Sequence, residues 1–224
     1  MEETRSYEEL RVGFTAAVSH ELRTPLARLS ALLDSAALPD TDHEALLAQA
    51  REQVEEMSEL IDDVLFLSEL ESGREIVALG PTPALPVLEE VRARLADSAE
   101  RADVGIRIDV DPRDVTVPLR RRMLQIVVEN LAVNAIRYSG PGATLTLSAR
   151  PGVLEVADDG RGVDESELPR LFERFYRSDR ARASRGTGLG LAIVKHVVVS
   201  AGGEVHASGG PGRGLRIRCT FPAP

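Results

Sequence analysis

The chain has 224 residues, 43% of them hydrophobic and 28% charged, with a formal net charge of −9 and a single cysteine. That length holds two small domains, each able to bury its own core. The acidic balance excludes a sequence-independent grip on nucleic acid, and one cysteine excludes an intramolecular disulfide framework.

Cys219 fits a reducing compartment and reads as a small core residue of a closing strand. No apolar run approaches the roughly 20 residues that cross a bilayer, and no signal-peptide pattern opens the chain. The expectation is therefore a cytoplasmic segment, with any membrane attachment left to a sensor region absent from this chain.

Residues from about Glu2 to Gly73 read as two helices. Leu10, Phe14, Val18, Leu22, Leu26, Leu29 and Leu33 recur at steps of three and four in the first. In the second, Leu47, Ala50, Val54, Met57, Ile61 and Val64 alternate the same steps, the spacing of a coiled-coil seam. Between them Pro39 is the breaker, and Thr41 or Asp42 is the N-cap candidate. A hairpin of this kind buries one narrow stripe per helix. Pairing with a second copy as a dimeric four-helix bundle is the expectation; packing against its own C-terminal region is the alternative.

The run Gly73, Gly80, Pro81, Pro83, Pro86 marks the domain boundary, placed between residues 73 and 74, with Glu75 to Leu79 as a candidate strand. Beyond it the pattern alternates. Helices are predicted over Ala84–Ala102, Leu119–Tyr138 and Leu189–Ala201. Strands are predicted over Val104–Val110, Val115–Val117, Ala143–Ala149, Val153–Ala157, Glu204–Ser208 and Leu215–Phe221. This mix implies a two-layer α/β sandwich over residues 74–224.

Chemistry concentrates in five stretches. In Ser19-His20-Glu21-Leu22-Arg23-Thr24-Pro25-Leu26, His20 lies about 200° around the helix from both Val18 and Leu22, so it faces water when they face the seam. Pro25 removes an N–H and crowds the carbonyl of Glu21, so a bend beside His20 is expected. Glu21 can accept from one imidazole nitrogen and leave the other a lone pair, and Thr24 stands one turn beyond His20 on the same face. A lone exposed histidine is ordinarily just solvated surface.

In Asn130-Leu131-Ala132-Val133-Asn134-Ala135-Ile136-Arg137-Tyr138-Ser139, two amides leave one helical face a turn apart. Neutral oxygens of that kind suit Mg²⁺; satisfying nearby backbone is the alternative. Asp158-Asp159-Gly160-Arg161-Gly162 ends a strand, where glycines let the backbone approach a flat ligand, although Asp-Asp-Gly is also a common turn. In Leu171-Phe172-Glu173-Arg174-Phe175-Tyr176-Arg177 the phenylalanines read as core, whereas the Arg177 guanidinium can neutralise a phosphoryl charge. Gly186-Thr187-Gly188-Leu189-Gly190-Leu191 opens the last helix with bare amides, an anion site. The polar, Arg- and Ser-rich stretch between Arg177 and Gly186 reads as a lid.

Together these stretches, in this order, resemble the cytoplasmic core of sensor histidine kinases over roughly residues 5 to 221. The resemblance implies a hairpin for dimerisation and histidine phosphotransfer, then a Bergerat-type ATP-binding sandwich. It makes His20 the autophosphorylated residue, using ATP and Mg²⁺, and Glu21 its acid/base partner. Glu21 and Thr24 match the family's phosphatase pattern, and a response regulator aspartate is the implied acceptor. It assigns Asn134 to the magnesium ion, and Asn130 and Arg137 to the phosphates. Tyr138 lines the nucleotide, Asp158 reads adenine, and Gly160, Gly162, Gly186, Thr187, Gly188, Leu189 and Gly190 shape the cleft. Asp159 departs from the pattern, since Asn is commoner there. Two rivals differ in class: a Bergerat-fold hydrolase, which carries a basic Glu where Asn130 stands, and a non-catalytic dimeric scaffold, which needs a broken site.

Overall fold

A computed structural model describes residues 2–38, 42–72, 80–178 and 186–222, with side chains from Thr15 onward. By Cα packing the chain divides into two units, Met1–Ser68 with Ser184–Thr187, and Glu69–Ala183 with Gly188–Pro224.

The first unit is a helical hairpin of α1 (Glu2–Ala36) and α2 (His43–Glu71). Helix α1 continues through Pro25, whose ring is buried. Asp42 caps α2: its Oδ1 accepts from the Ala45 amide at 3.0 Å, satisfying one of the donors a helix start leaves open. Pro39, Thr41 and the boundary at residues 73–79 lie outside the described residues.

Each helix carries two apolar stripes rather than one. The covered stripe of α1 runs through Val18, Leu22, Pro25, Leu29 and Leu32, and that of α2 through Leu46, Ala50, Gln53, Met57, Leu60, Val64 and Leu67. The other stripe stays in water: Leu26 is 54% exposed, Leu33 70%, Leu47 59%, Val54 53% and Ile61 45%. The seven-residue spacing of 26 and 33, and of 47, 54 and 61, keeps that second stripe straight along each helix. The predicted seam takes in members of both stripes.

In the second unit, short strands β1 (Thr82–Pro83) and β3 (Thr116–Val117) pair antiparallel beside helix α3 (Ala84–Arg101). A five-stranded sheet holds β2 (Gly105–Val110), β4 (Thr144–Arg150), β5 (Val153–Asp158), β6 (Glu204–Gly209) and β7 (Leu215–Thr220), in the order β2-β4-β5-β7-β6. Only β2 and β4 run parallel, joined through helix α4 (Arg121–Tyr138); the other pairs are antiparallel.

Alternation along the strands decides which face is covered. Leu145, Leu147, Leu154, Val156, Ile217 and Cys219 turn inward against α3, α4 and helix α5 (Gly190–Ser200). The fully buried leucines contribute about 2 kcal/mol each by transfer from water. Burial pushes the Cys219 thiol up to about 12, so it is an inert core residue, as its place in the sequence suggests. On the open face Glu155 accepts from Arg216 at 2.6 Å and from Arg218 at 2.7 Å, a cross-strand trio on the solvent side. Two layers, helices over one sheet, are what the alternating pattern predicts.

Candidate functional site

Two chemically distinct places emerge, one in each unit. On α1, His20, Arg23, Thr24, Ala27, Arg28 and Ala31 line one open hollow with a cavity volume of about 510 Å³. All six are exposed. At 100° per residue they occupy one face of the helix, and the two alanines keep it concave. Glu21 lies one residue round from His20 and is half-buried, toward the covered stripe. The imidazole is thus presented to water with a hydroxyl one turn away, as its spacing predicts. No helix among the described residues is long and apolar enough to cross a membrane.

The second place gathers at the end of β5, between the last turn of α4 and the start of α5. Asn130 and Asn134 are half-buried on α4. The Asn130 amide nitrogen donates to the Ile126 carbonyl at 2.9 Å, so half of this side chain does satisfy backbone. Its Oδ1 points the other way, over Gly190, where a Cβ would stand 2.5 Å from it. Only glycine at the first position of α5 leaves that amide oxygen in place. Arg137 is exposed; Tyr138 and Arg177 are half-buried.

Asp158 ends β5. Its Oδ1 accepts from the Gly160 amide at 2.9 Å. Burial pushes its carboxyl above the usual carboxylate range. Hydrogen bonds from the Gly160 and Leu215 amides pull the other way, and neighbouring Asp159 adds to the rise. Backbone bonds stitch the loop beyond it on three sides: Arg161 N–H to the Ser139 carbonyl at 2.9 Å, Gly212 N–H to the Arg161 carbonyl at 2.7 Å, and Gly214 N–H to the Gly160 carbonyl at 3.0 Å. Gly162, with φ +65°, lies inside this stitching.

Gly188 and Gly190 are half-buried, while Leu189 is fully buried, so its side chain belongs to the core and only its backbone can serve a ligand. Gly186 and Thr187, also half-buried, group with the first unit rather than with these neighbours. Of the predicted lid between Arg177 and Gly186, residues 179–185 lie outside the described residues. Phe172 and Phe175 are half-buried rather than core. Phe175 holds φ +61° and donates its amide to the Gly188 carbonyl at 3.0 Å, a strained non-glycine residue tied to the glycine loop.

Two contributions escape a sequence reading, that of Gly214 and the anchoring role of Asp159. Gly214 has φ +70°, and a Cβ there would collide with the Asp158 carbonyl. The glycine-rich run from Gly209 to Gly214 was the available signal, though it reads as an ordinary hairpin turn. Asp159 accepts from the Thr144 amide at 2.6 Å, so it anchors the loop to β4 and needs no ligand to explain it.

Among the described residues no cluster of three His, Cys, Asp or Glu side chains could hold a metal alone. A single amide oxygen beside an anionic ligand is nonetheless a donor set that Mg²⁺ accepts, because it takes few protein ligands and completes its shell with water and phosphate oxygens. The arrangement as a whole offers a half-buried carboxylate acceptor, an amide pair and bare backbone donors, the ingredients of a nucleotide cleft.

Comparison with known proteins agrees. A family model for the His Kinase A (phospho-acceptor) domain matches residues 10–73, and one for the histidine kinase-, DNA gyrase B- and HSP90-like ATPase matches residues 120–224. The sensor-like histidine kinase SenX3 of Mycolicibacterium smegmatis is 35% identical over 228 residues, covering 96% of this chain and 58% of its own length. The chain thus spans little more than half of that relative. Among solved structures, the histidine kinase AdeS of Acinetobacter baumannii superposes with a TM-score of 0.73 at 27% identity, covering 90% of this chain and 97% of that one. Histidine kinase ThkA, solved in complex with the response regulator protein TrrA, shares the fold with a TM-score of 0.75 at 18% identity, covering 100% of this chain and 65% of that one. With a phospho-acceptor hairpin and an ATPase sandwich in one polypeptide, the chain belongs to the sensor histidine kinase family.

Proposed function

We propose that this chain phosphorylates its own His20 from ATP and passes the phosphoryl group to an aspartate of a response regulator. The observation that carries the reading is the water-facing imidazole of His20, on a helix matched by a phospho-acceptor family, in a polypeptide that also holds an ATPase fold. A ring-nitrogen lone pair attacks the γ-phosphorus. An N–P bond forms as the bond to the β,γ-bridging oxygen breaks, and ADP leaves with that electron pair. The proton on the other ring nitrogen is taken up by Glu21 or water.

Asp158 accepts from the adenine exocyclic amine, Tyr138 lines the base, and Asn130, Arg137 and the amides of Gly188 and Gly190 meet the phosphates. Gly160 and Gly162 keep the cleft floor low. Asn134 would hold Mg²⁺ through its amide oxygen, and the ion, when bound, neutralises triphosphate charge. Arg177 offers a guanidinium to the transferring group. Thr24, exposed beside His20 in the same hollow, favours a second activity: its hydroxyl orients a water that dephosphorylates the regulator.

The exposed stripe of Leu26, Leu33, Leu47, Val54 and Ile61 supports a homodimer through the hairpin. Residues 1–73 then form the dimerisation and phosphotransfer domain and 74–224 the catalytic domain, the cytoplasmic portion of a membrane-anchored sensor. ThkA, solved with its regulator, is a precedent for the partner class.

Incubation with γ-labelled ATP tests the function. Acid-labile, alkali-stable label on the protein is the expected result; abundant free phosphate with unlabelled protein would favour a hydrolase and overturn it. A second measurement probes the cleft. Gly190→Ala improves helix propensity at the start of α5 but drives a Cβ against the Asn130 oxygen. Mg·ATP affinity is expected to fall about tenfold, the worth of one misplaced polar contact, with the melting temperature unchanged or raised. Calorimetric titration and a thermal melt check the split.

A further inference from the structure

Along α1, Arg23 is the one cation within a helical turn of His20, since residues 16–24 carry no lysine and no other arginine. It lines the same hollow as His20 and is exposed. Helical side chains lean toward the N-terminus and cover the turn behind their own Cα. Arg23 therefore leans over position 20, three residues back. No acidic residue stands three or four places from Arg23 in either direction; those neighbours are Ser19, His20, Leu26 and Ala27. Its guanidinium is accordingly not committed to a helical ion pair, unlike Arg94, which bonds Glu90 four residues away at 3.3 Å. Arg28 lines the hollow too, but its lean carries it over Thr24, one turn short of His20.

Resting on the phospho-acceptor reading of His20, we propose that Arg23 is the anion-holding residue of the phosphorylated state, its planar fork donating to the phosphoryl oxygens carried on the imidazole. A dianion placed on the ring is favoured by one charge-assisted donor pair that exists only after transfer. Arg23 thus acts on the transferred group itself: it shifts the balance between ATP with free His20 and ADP with phospho-His20, and leaves ATP binding alone.

The test uses the full chain and reads the equilibrium ratio of phosphorylated to free His20 at fixed ATP and ADP. It is run for wild type, Arg23→Met, Arg23→Lys and Arg28→Met, with ATP affinity and melting temperature measured alongside. Arg23→Met is expected to lower the ratio about fivefold to tenfold, the range for one partly exposed charged contact. Arg23→Lys recovers part of that, as a point charge without the fork, and Arg28→Met stays within about twofold. Equal ratios in wild type and Arg23→Met overturn the proposal. So does an equal fall in Arg28→Met, which would make the effect one of bulk charge. A wild type that takes no label overturns the phospho-acceptor reading itself, and is seen before any arginine variant is compared.

Discussion

His20→Ala is expected to abolish phosphoryl incorporation, by about a thousandfold or more, while ATP affinity stays within about twofold of wild type. The size follows from the proposed role, since losses of that magnitude accompany removal of a reacting atom. The selectivity follows from the structure. His20 is exposed on α1 and lends nothing to either covered stripe, so its loss changes stability by no more than about 0.5 kcal/mol. Alanine is also the better helix former. Quantified label on the protein, set against nucleotide titration and a thermal melt, checks both halves. Label retained by the variant would move the acceptor elsewhere. Label lost together with the melting transition would mean that the imidazole is structural after all. His20→Gln, which keeps polarity and helix but has no nucleophilic ring nitrogen, should match His20→Ala.

Such a prediction could be framed from the amino-acid string because the exposed imidazole is a local property: one turn of helix and two apolar neighbours determine which way it points. The α/β elements were legible for the same reason. Helix α4 buries Met123, Leu124, Val127, Val128, Leu131, Ala132, Ala135 and Ile136 at steps that only a helix brings to one face. The sheet strands alternate, so their predicted bounds agree with the observed ones within two residues. The hairpin was less legible. Leu46 and Leu47, Gln53 and Val54, Leu60 and Ile61 are adjacent pairs in which one member is covered and the other is not. A search for apolar residues takes Val54 over Gln53 and Ile61 over Leu60, because periodicity cannot say which of two neighbouring stripes meets its own chain. The cleft shows the complementary limit. The place of Asp158 at the end of a strand was legible, whereas Gly214 meets it across more than fifty residues of sequence, and the loop that brings them together is a tertiary event with no local signature.

The cleft carboxylate gives the second large effect. Asp158→Asn is expected to weaken ATP binding about a hundredfold, because Gly160 already engages one carboxylate oxygen and an amide has only one acceptor to divide between that N–H and the adenine amine. Its NH₂ then faces another donor, and the loss of a charged acceptor is worth about 1.5–3 kcal/mol. Guanine nucleotide, which presents a carbonyl at that edge, should gain as adenine loses, so the ratio of the two affinities is the sharper readout. The empty protein responds differently. A carboxyl whose folded-state pKa is raised binds its proton more tightly folded than unfolded. Its contribution to stability is full below the ordinary value of 3.8 and is lost as pH rises through the higher folded value. Ionised Asp158 therefore weakens the empty fold at neutral pH relative to a neutral group. The melting temperature of Asp158→Asn minus that of wild type should grow as pH is raised from about 4 to about 7. A difference that shrinks over this range would mean that the carboxylate is stabilised by its two amide donors more than burial disfavours it. An unchanged ATP-to-GTP ratio would remove Asp158 from base recognition altogether.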